Sequence, residues 1–416
     1  MSGAARRKDP TLIALIAEGF LSRLSFGIIG FALPLYAHHL GMSIGMIGVL
    51  ASLSVIAELM LKPFASALAD RLGFKRALAS AVMLRSSVGL LFALAAAPWQ
   101  LLTIRFMHGA AESLRDPSVN SILAEHGGRK AVASAFAWYS TAKNVAGSIG
   151  KAAAGILLTL TVSNYTLVFL IAFILSALPL GVIVRFVTAS PAGTEKPGEA
   201  EQSPCAPTPK RAIAPFVFLG VLISGTAAML SNLFPILATQ YAHLTEAQAG
   251  LIYAASTTLI IFAGPAFGWL SDNVSRKLVL VTRSVANIVS SIAYLVAPTL
   301  AGVAGAKITD DIGKAAFRPA WGAVMAQLSD GDRARRARTV GWLGMGENVG
   351  EAAGPLLAGL LWSVWGVAAV LIVRAVLAVF TEIYAITLRA GEDVPHPLLR
   401  STLSRPPERV EIRVPA

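Results

Sequence analysis

Long runs of apolar residues, separated by short polar connections, fill this chain from residue 12 to residue 388. Apolar residues follow one another within each run and do not show the spacing of an amphipathic surface helix. About 20 such residues cross a bilayer as a helix, and backbone groups in lipid must be satisfied within the segment. The pattern predicts twelve transmembrane helices. They cover residues 12–37, 44–66, 77–97, 99–124, 131–161, 164–187, 213–241, 247–270, 278–299, 301–328, 338–363 and 365–388.

The second half of the chain repeats the first at an offset of 201 to 204 residues. Asp70 matches Asp272 and Pro117 matches Pro319, while Gly155 matches Gly359 near the end of the repeat. Two repeated bundles suggest a protein that moves one half against the other around a central site. We therefore predict an all-α integral membrane protein with twelve transmembrane helices in two pseudosymmetric six-helix bundles.

Composition changes along the chain set the predicted domain bounds. Residues 1–188 form an N-terminal six-helix bundle and residues 212–390 a C-terminal one. Residues 189–211 between them are rich in Pro, Gly and Glu, which predicts a flexible cytoplasmic linker. The proline-containing tail, residues 391–416, is predicted to be cytoplasmic and disordered.

The 416 residues are 55% hydrophobic and only 14% charged. The net charge of +12 indicates how the chain is oriented in the membrane. Lys and Arg cluster in alternate connections, which predicts cytoplasmic termini and a multi-pass protein of a bacterial inner membrane. A nucleic-acid partner is not expected, because no segment remains to form a basic folded domain.

The first run carries Glu18 and Arg23 and lacks a cleavage site, so it is predicted to span the membrane. Cys205 is the only cysteine, which excludes an internal disulfide.

The segment Ser66-Ala-Leu-Ala-Asp70-Arg71-Leu-Gly73-Phe-Lys75-Arg76 lies between the second and third predicted helices. It resembles the cytoplasmic signature of the major facilitator superfamily, G-x-x-x-D-R/K-x-G-x-R/K-R/K, with Ser66 in place of the first glycine. The second copy keeps Gly268, Asp272, Arg276 and Lys277. Arg105 and Gly109 resemble the family's fourth-helix R-x-x-x-G pattern.

This resemblance implies a loop that closes the cytoplasmic side in one state and releases in the other. Gly73 would permit a tight reversal, and Asp70 could cap the next helix or bind basic groups. The alternative is that the basic residues only follow the positive-inside rule. The predicted gate residues are Asp70, Arg71, Gly73, Lys75, Arg76, Gly268, Asp272, Arg276 and Lys277.

Charged residues inside the fourth and tenth predicted helices are functional candidates, because each costs roughly 2.5–3.5 kcal/mol at the bilayer centre. The repeat pairs Glu112 with Lys314 and Asp116 with Arg318, so the two helices are expected to face a shared polar cavity. The alternatives are structural ion pairs or side chains that reach the interface. The candidates for solute or proton binding are Arg105, His108, Glu112, Arg115, Asp116, Asp310, Asp311, Lys314 and Arg318, with Lys307 near a helix end.

Charges at i and i+4 also occupy the fifth and eleventh predicted helices, and Glu58 and Lys62 lie on the second. In the superfamily, the second and eleventh helices adjoin across the boundary between the halves. We therefore expect either state-dependent ion pairs between the halves or a fixed structural role. The residues concerned are Glu58, Lys62, Lys143, Lys151, Glu347 and Glu351.

The function expected from these features is secondary active transport of a small polar or charged solute by alternating access. Protons are the expected coupling ion, and efflux is ranked slightly above uptake by symport; a metal-cation carrier ranks low. A non-transporting sensor or scaffold is the other alternative, and no enzymatic motif or nucleotide-binding loop is present. The expected partners are the solute, protons and the lipid bilayer; we expect a monomer without cofactor or metal.

Overall fold

The computed structural model describes residues 10–188, 213–273, 276–329 and 336–390. Within these ranges it does not describe the side chains of residues 124–134, 137, 261, 262, 264, 265, 268, 271–273, 276–280, 318–320, 323, 326, 327, 329, 336–338, 340, 389 and 390. The predicted linker, residues 189–211, and the predicted tail, residues 391–416, lie outside the described ranges.

The described chain is built from helices. The first half holds α1 (Pro10–His39), α2 (Ile44–Leu72), α3 (Phe74–Leu94), α4 (Pro98–Leu160) and α5 (Tyr165–Phe186). The second half holds α6 (Ala214–Ser231), the short α7 (Phe234–Ile236), a π-helical turn (Leu237–Tyr241), α8 (Glu246–Asn273), α9 (Arg276–Val296), α10 (Leu300–Ser329) and α11 (Arg336–Ala390). All twelve predicted runs fall on these helices, with ends shifted by a few residues.

Helix α4 contains the fourth and fifth predicted spans and folds back on itself. Phe26 of α1 stacks on His108, and the neighbouring Gly27 lies against Gly150. A straight helix would hold residues 108 and 150 roughly 60 Å apart, because each residue adds about 1.5 Å. The two arms of α4 must therefore run side by side along α1.

Helix α11 contains the last two predicted spans and is interrupted at Gly366, where φ is 81° and ψ is 177°. Only glycine adopts this backbone conformation without strain, so the sequence places the break at this residue. Six stretches of described helix, including residues 341–388, are long and apolar enough to cross a membrane.

The two halves pack against each other on one side of the molecule. We call it the Gly41 side, because Gly41 lies in the turn between α1 and α2. A single apolar core joins Phe31 and Leu33 of α1 to Phe234 and Tyr253 of the second half. The Ser163 hydroxyl donates to Glu246 Oε1 at 3.0 Å, and the Ala247 N–H donates to Thr159 Oγ1 at 3.0 Å.

Two glycine contacts bring the backbones of the halves together near this seal. A Cβ built on Gly155 of α4 would lie 2.9 Å from Cα of Gly250 on α8. A Cβ built on Gly359 of α11 would lie 2.9 Å from Cα of Gly48 on α2. Small residues at both contacts allow helices to pack at backbone distance.

The opposite side, called the Gly73 side after the α2–α3 turn, lacks such a joint core among the described residues. There the apolar clusters belong to one half each: Leu15, Leu78 and Ile122 group in the first half, and Leu219 with Trp321 in the second. The described hydrogen bonds between the halves are both on the Gly41 side. The described hydrogen bonds and joint core between the halves therefore lie on the Gly41 side, and the space between the halves on the Gly73 side is called here the chamber.

Candidate functional site

The first half contains a buried arginine–glutamate pair at its centre. Arg115 of α4 and Glu18 of α1 are 1% and 0% exposed. Arg115 Nη2 donates to Glu18 Oε1 at 2.9 Å and to Oε2 at 3.0 Å, while Nε donates to Oε1 at 3.0 Å. Nη2 also donates to the Tyr139 hydroxyl at 2.7 Å, and Ser22 donates to Glu18. This planar, many-donor geometry is the one that offsets the desolvation of two buried charges.

Glu112 extends this network towards the chamber. Its Oε1 lies 2.7 Å from Nη1 of the buried Arg85, and its Oε2 lies 3.7 Å from Nη1 of Arg115. His108, one turn away, stacks on Phe26 at 3.8 Å between centroids. Asp116 lies 3.4 Å from Arg115 and its side chain is 37% exposed, which makes it the most accessible carboxylate of this network.

The second half contains a comparable network around Asp310 of α10. Arg374 of α11, 0% exposed, donates from Nη2 to Asp310 Oδ1 at 2.5 Å. Arg283 Nη1 lies 3.4 Å from the same oxygen, and Lys314 Nζ lies 2.7 Å from Oδ2. Further donations from Arg374 reach the Thr226 carbonyl and the hydroxyls of Ser290 and Ser291.

Asp311 carries the network on to Lys307 and Lys314. The Ser256 hydroxyl of α8 also donates to Asp311. The Lys307 ammonium lies 4.9 Å from the ring centroid of Tyr253 and 5.6 Å from that of Phe234. This half therefore presents a lysine that is held by one carboxylate and two aromatic rings.

Four lysines and arginines of α1 and α4 with described side chains have no carboxylate within ion-pair distance among the described residues. They are Arg23, Arg105, Lys143 and Lys151. Lys143 lies 5.2 Å from the ring centroid of Tyr139, and Lys151 lies 4.4 Å from that of Tyr253 in the other half. The buried Nε of Arg105 has no hydrogen-bond acceptor.

The structure brings the predicted cavity residues together within each half instead of across the two halves. Glu112 pairs with Arg85 and Arg115, and Lys314 pairs with Asp310 and Asp311. No described ion pair joins Glu112 to Lys314. The side chain of Arg318, which occupies the position equivalent to Asp116 in the repeat, lies outside the described residues.

The predicted ion pairs between α2 and α11 are also absent from this conformation. Glu58 pairs with Lys62 at 3.4 Å on the same helix, and Glu347 accepts from Trp321 Nε1 at 2.5 Å within the second half. Glu351 is exposed, and no ion pair to it is found among the described residues. The described hydrogen bonds between the halves lie on the Gly41 side, so ion pairs between these residues would need another conformation.

At the predicted gate, Gly73 adopts φ 81° and its N–H donates to the Ala69 carbonyl, so it makes the expected reversal. Lys75 Nζ donates to the Val184 carbonyl at 3.3 Å. Asp70 is exposed and does not cap α3, whose N-cap is Gly73 without a side-chain hydrogen bond. Arg71 and Arg76 are exposed. Gly268, Asp272, Arg276 and Lys277 lie on α8 and α9, and their side chains are outside the described residues.

Sequence reasoning missed several members of the networks. Arg374 was not singled out, although a lone arginine in an apolar run is by itself a signal. The sequence places Glu18, Arg85 and Arg283 inside predicted spans as charged residues but does not indicate their partners. Tyr139, Tyr253 and Ser256 gave no signal, because hydroxyl-bearing residues are common in such helices.

Comparisons with known proteins agree on the family and the fold. A family model described as the Major Facilitator Superfamily matches residues 16–306 and 216–413. A protein of Planococcus maritimus, named a Na(+), Li(+), K(+)/H(+) antiporter, is 29% identical over 181 residues, which is 42% of this chain. The matched region spans only 41% of that relative.

Solved structures of similar fold cover nearly the whole chain. A bacterial homologue of the human lysosomal transporter Spinster, in an inward-facing and occupied conformation, has a TM-score of 0.75 at 16% identity. That alignment covers 93% of this chain and 98% of the other. The D323A mutant of the nucleoside transporter NupG has a TM-score of 0.72 at 17% identity, with 91% and 99% coverage.

Proposed function

Because the chain belongs to the major facilitator superfamily, we propose that this membrane transporter moves a small polar or charged solute by alternating access coupled to protons. The observation that carries the proposal is the contrast between the two sides. Core packing and hydrogen bonds join the halves on the Gly41 side, and the chamber opens on the other side over charged residues. Such a chamber exposes a solute site to one compartment at a time.

The positive-inside rule assigns the Gly73 side to the cytoplasm, because the connections on this side carry the clustered Lys and Arg. On that assignment, both termini are cytoplasmic and the structure is open to the cytoplasm. Solute would enter the chamber from the cytoplasm and leave on the far side after the halves rock. We propose this order, efflux in exchange for protons, over uptake, in which the same open state would release the solute into the cytoplasm.

Asp116 is the carboxylate best placed to carry the coupling proton. Glu18 is buried and accepts three hydrogen bonds from Arg115, and Asp310 and Asp311 are buried and pair with two or more cations each. Asp116 has one basic partner among the described residues and an accessible side chain. A proton carrier must meet water from the chamber and then be shielded when the halves close. Asp116 and Glu112 both lie near Nη1 of Arg115, and Glu112 also pairs with Arg85. A change of charge on Asp116 would therefore reach the buried network through Arg115 and Glu112.

The test is proton flux in sealed proteoliposomes that contain a pH-sensitive dye. Sodium, lithium, potassium, citrate, succinate and uridine would be added separately to the native protein, Asp116→Asn and Glu112→Gln. We expect flux with at least one solute and a loss of at least tenfold in Asp116→Asn. Glu382→Gln is the matched control, because Glu382 accepts from Ser284 and lies outside both networks. Well-folded protein that gives no flux with any solute would support a sensor or scaffold instead.

Exchange of a monovalent cation for protons is the second candidate, favoured by the name of the Planococcus maritimus relative. Asp116 and Glu351 would supply the accessible carboxylates for such an ion. In the same assay this candidate requires flux on addition of sodium, lithium or potassium chloride and none with the organic solutes.

A further inference from the structure

The floor of the chamber carries positive charge from both halves. Gly155 and Gly250 seal the halves, and the backbone of Lys151, one turn before Gly155, also touches Gly250. Tyr253 lies about one turn beyond Gly250 on α8. Lys151 and Tyr253 are therefore the first polar side chains met where the sealed contact ends.

Two ammonium groups share the Tyr253 ring. Lys151 of the first half lies 4.4 Å from the ring centroid, and Lys307 of the second half lies 4.9 Å from it. Cation–π attraction contributes about 2 kcal/mol or more when the cation is desolvated, but it does not remove the repulsion between two like charges. Lys307 has Asp311 as its counter-ion, whereas Lys151 has none among the described residues.

Other positive charges increase the imbalance. The charges of Lys307, Arg23 and Lys314 all repel that of Lys151, whereas that of Asp311 attracts it. Arg23 also repels Arg105 and Lys143, the other two cations without carboxylate partners. Its side chain lies along Gly147, one turn from Lys151 on α4. Uncompensated charge at this depth is costly and marks a binding pathway.

We propose that Lys151 and Lys307, which both lie against the ring of Tyr253, form a binding site for an oxyanion group of the transported solute, either a carboxylate or a phosphate. An oxyanion would relieve the repulsion between the two ammonium groups and give Lys151 its missing partner. Because one lysine comes from each half, a bound anion would also link the halves. The inference rests on the proposed function, since it names the solute class of the same chamber.

The test is binding, which does not require transport. Citrate, succinate and inorganic phosphate would be titrated calorimetrically against the purified full chain in detergent, at constant ionic strength with chloride as the reference anion. We expect at least one probe to bind with a Kd below about 10 mM, which corresponds to a binding free energy more favourable than about −2.7 kcal/mol. Lys151→Gln should weaken that probe at least tenfold, whereas Lys151→Arg should retain binding.

Arg185→Gln is the charge-matched control, because Arg185 lies exposed at the end of α5 over Phe186. It should bind the probe as the native protein does, and thermal unfolding would confirm that every variant is folded. Absence of binding by all three probes would overturn the oxyanion site, and so would equal binding in Lys151→Gln. Binding of lithium or sodium in place of the anions would favour the cation candidate. Proton flux without anion binding would leave the transporter proposal standing and remove only this site.

Discussion

In the first half a buried arginine of α4 binds a glutamate of α1, whereas in the second half a buried arginine of α11 binds an aspartate of α10. The repeat does not relate the two pairs. At the repeat offset, Arg115 corresponds to Phe317 and Asp310 to His108, while Arg374 corresponds to Leu170. Each half thus stabilises its centre with an arginine–carboxylate pair taken from different helices.

The contacts between the halves behave in the opposite way. Gly155 packs on Gly250 and Gly359 packs on Gly48, and the repeat exchanges the two pairs. Surfaces that meet across a pseudo-twofold axis must remain complementary to each other, so a change on one side constrains the other. The interior of each half has no such constraint, which explains why the charge networks differ.

The largest expected effect comes from Arg115→Met. It removes all the basic donors from Glu18, which is fully buried and would keep only the Ser22 hydroxyl. Breaking a buried ion pair from one side costs about 3–5 kcal/mol. We expect a large loss of thermal stability and of monodisperse yield in detergent.

A double variant tests whether this loss comes from the orphaned charge. Glu18→Met combined with Arg115→Met removes both charges and should be more stable than Arg115→Met alone. A double variant that is no better than the single one would show that packing of Arg115, and not its charge, determines stability.

Arg374→Met should cost less, about 2–3 kcal/mol, the scale of hydrogen bonds to a charged group. Asp310 would keep Arg283 and Lys314, so its charge would not be left unpaired. Thermal unfolding of Arg374→Met and Arg115→Met, measured under the same conditions, shows which substitution destabilises the protein more. An equal or larger loss in Arg374→Met would mean that the two networks are equally dependent on one arginine.

The glycine contacts predict a symmetric pair of effects. A Cβ at Gly155 would lie 2.2 Å from the Glu246 carbonyl, and a Cβ at Gly48 would lie 2.4 Å from the Pro355 carbonyl. Overpacking of this kind destabilises a packed contact by about 1–3 kcal/mol. Here it would destabilise only the conformation in which the halves are in contact on the Gly41 side. Gly155→Ala and Gly48→Ala should each slow transport by about tenfold.

Gly305→Ala is the control, because a Cβ there has nothing within 4 Å. Transport rates in proteoliposomes that fall for only one of the two contact variants would show that the seal is less symmetric than the repeat indicates.

The smallest effect on stability is expected for Asp70→Asn. The carboxylate is exposed, and no described hydrogen bond or ion pair holds it in this conformation. The free energy of unfolding should therefore change by less than about 0.5 kcal/mol, as for most surface substitutions. If the loop gates the Gly73 side, transport should nevertheless slow several-fold. Unchanged transport rates would remove the gating role.

Much of the fold could be predicted from the sequence because the bilayer imposes a length and a composition on each span. The repeat could be read from a few collinear prolines and glycines, such as Pro117 with Pro319. The partners of Glu112 could not be predicted in the same way. The repeat matches Glu112 with Lys314 as equivalent positions but does not indicate that Arg85 on α3 and Arg115 on α4 take its two carboxylate oxygens.

The sequence by itself determined that this protein is a doubled bundle of membrane helices with charges at its centre, because long apolar runs and costly intramembrane charges are properties of single residues and their neighbours. Only the tertiary structure decided which charges meet and which side is closed. Those outcomes depend on distances of a few ångströms between helices remote in the chain, as Lys151 and Tyr253 show. An ammonium and a ring 102 positions apart come to lie 4.4 Å from each other.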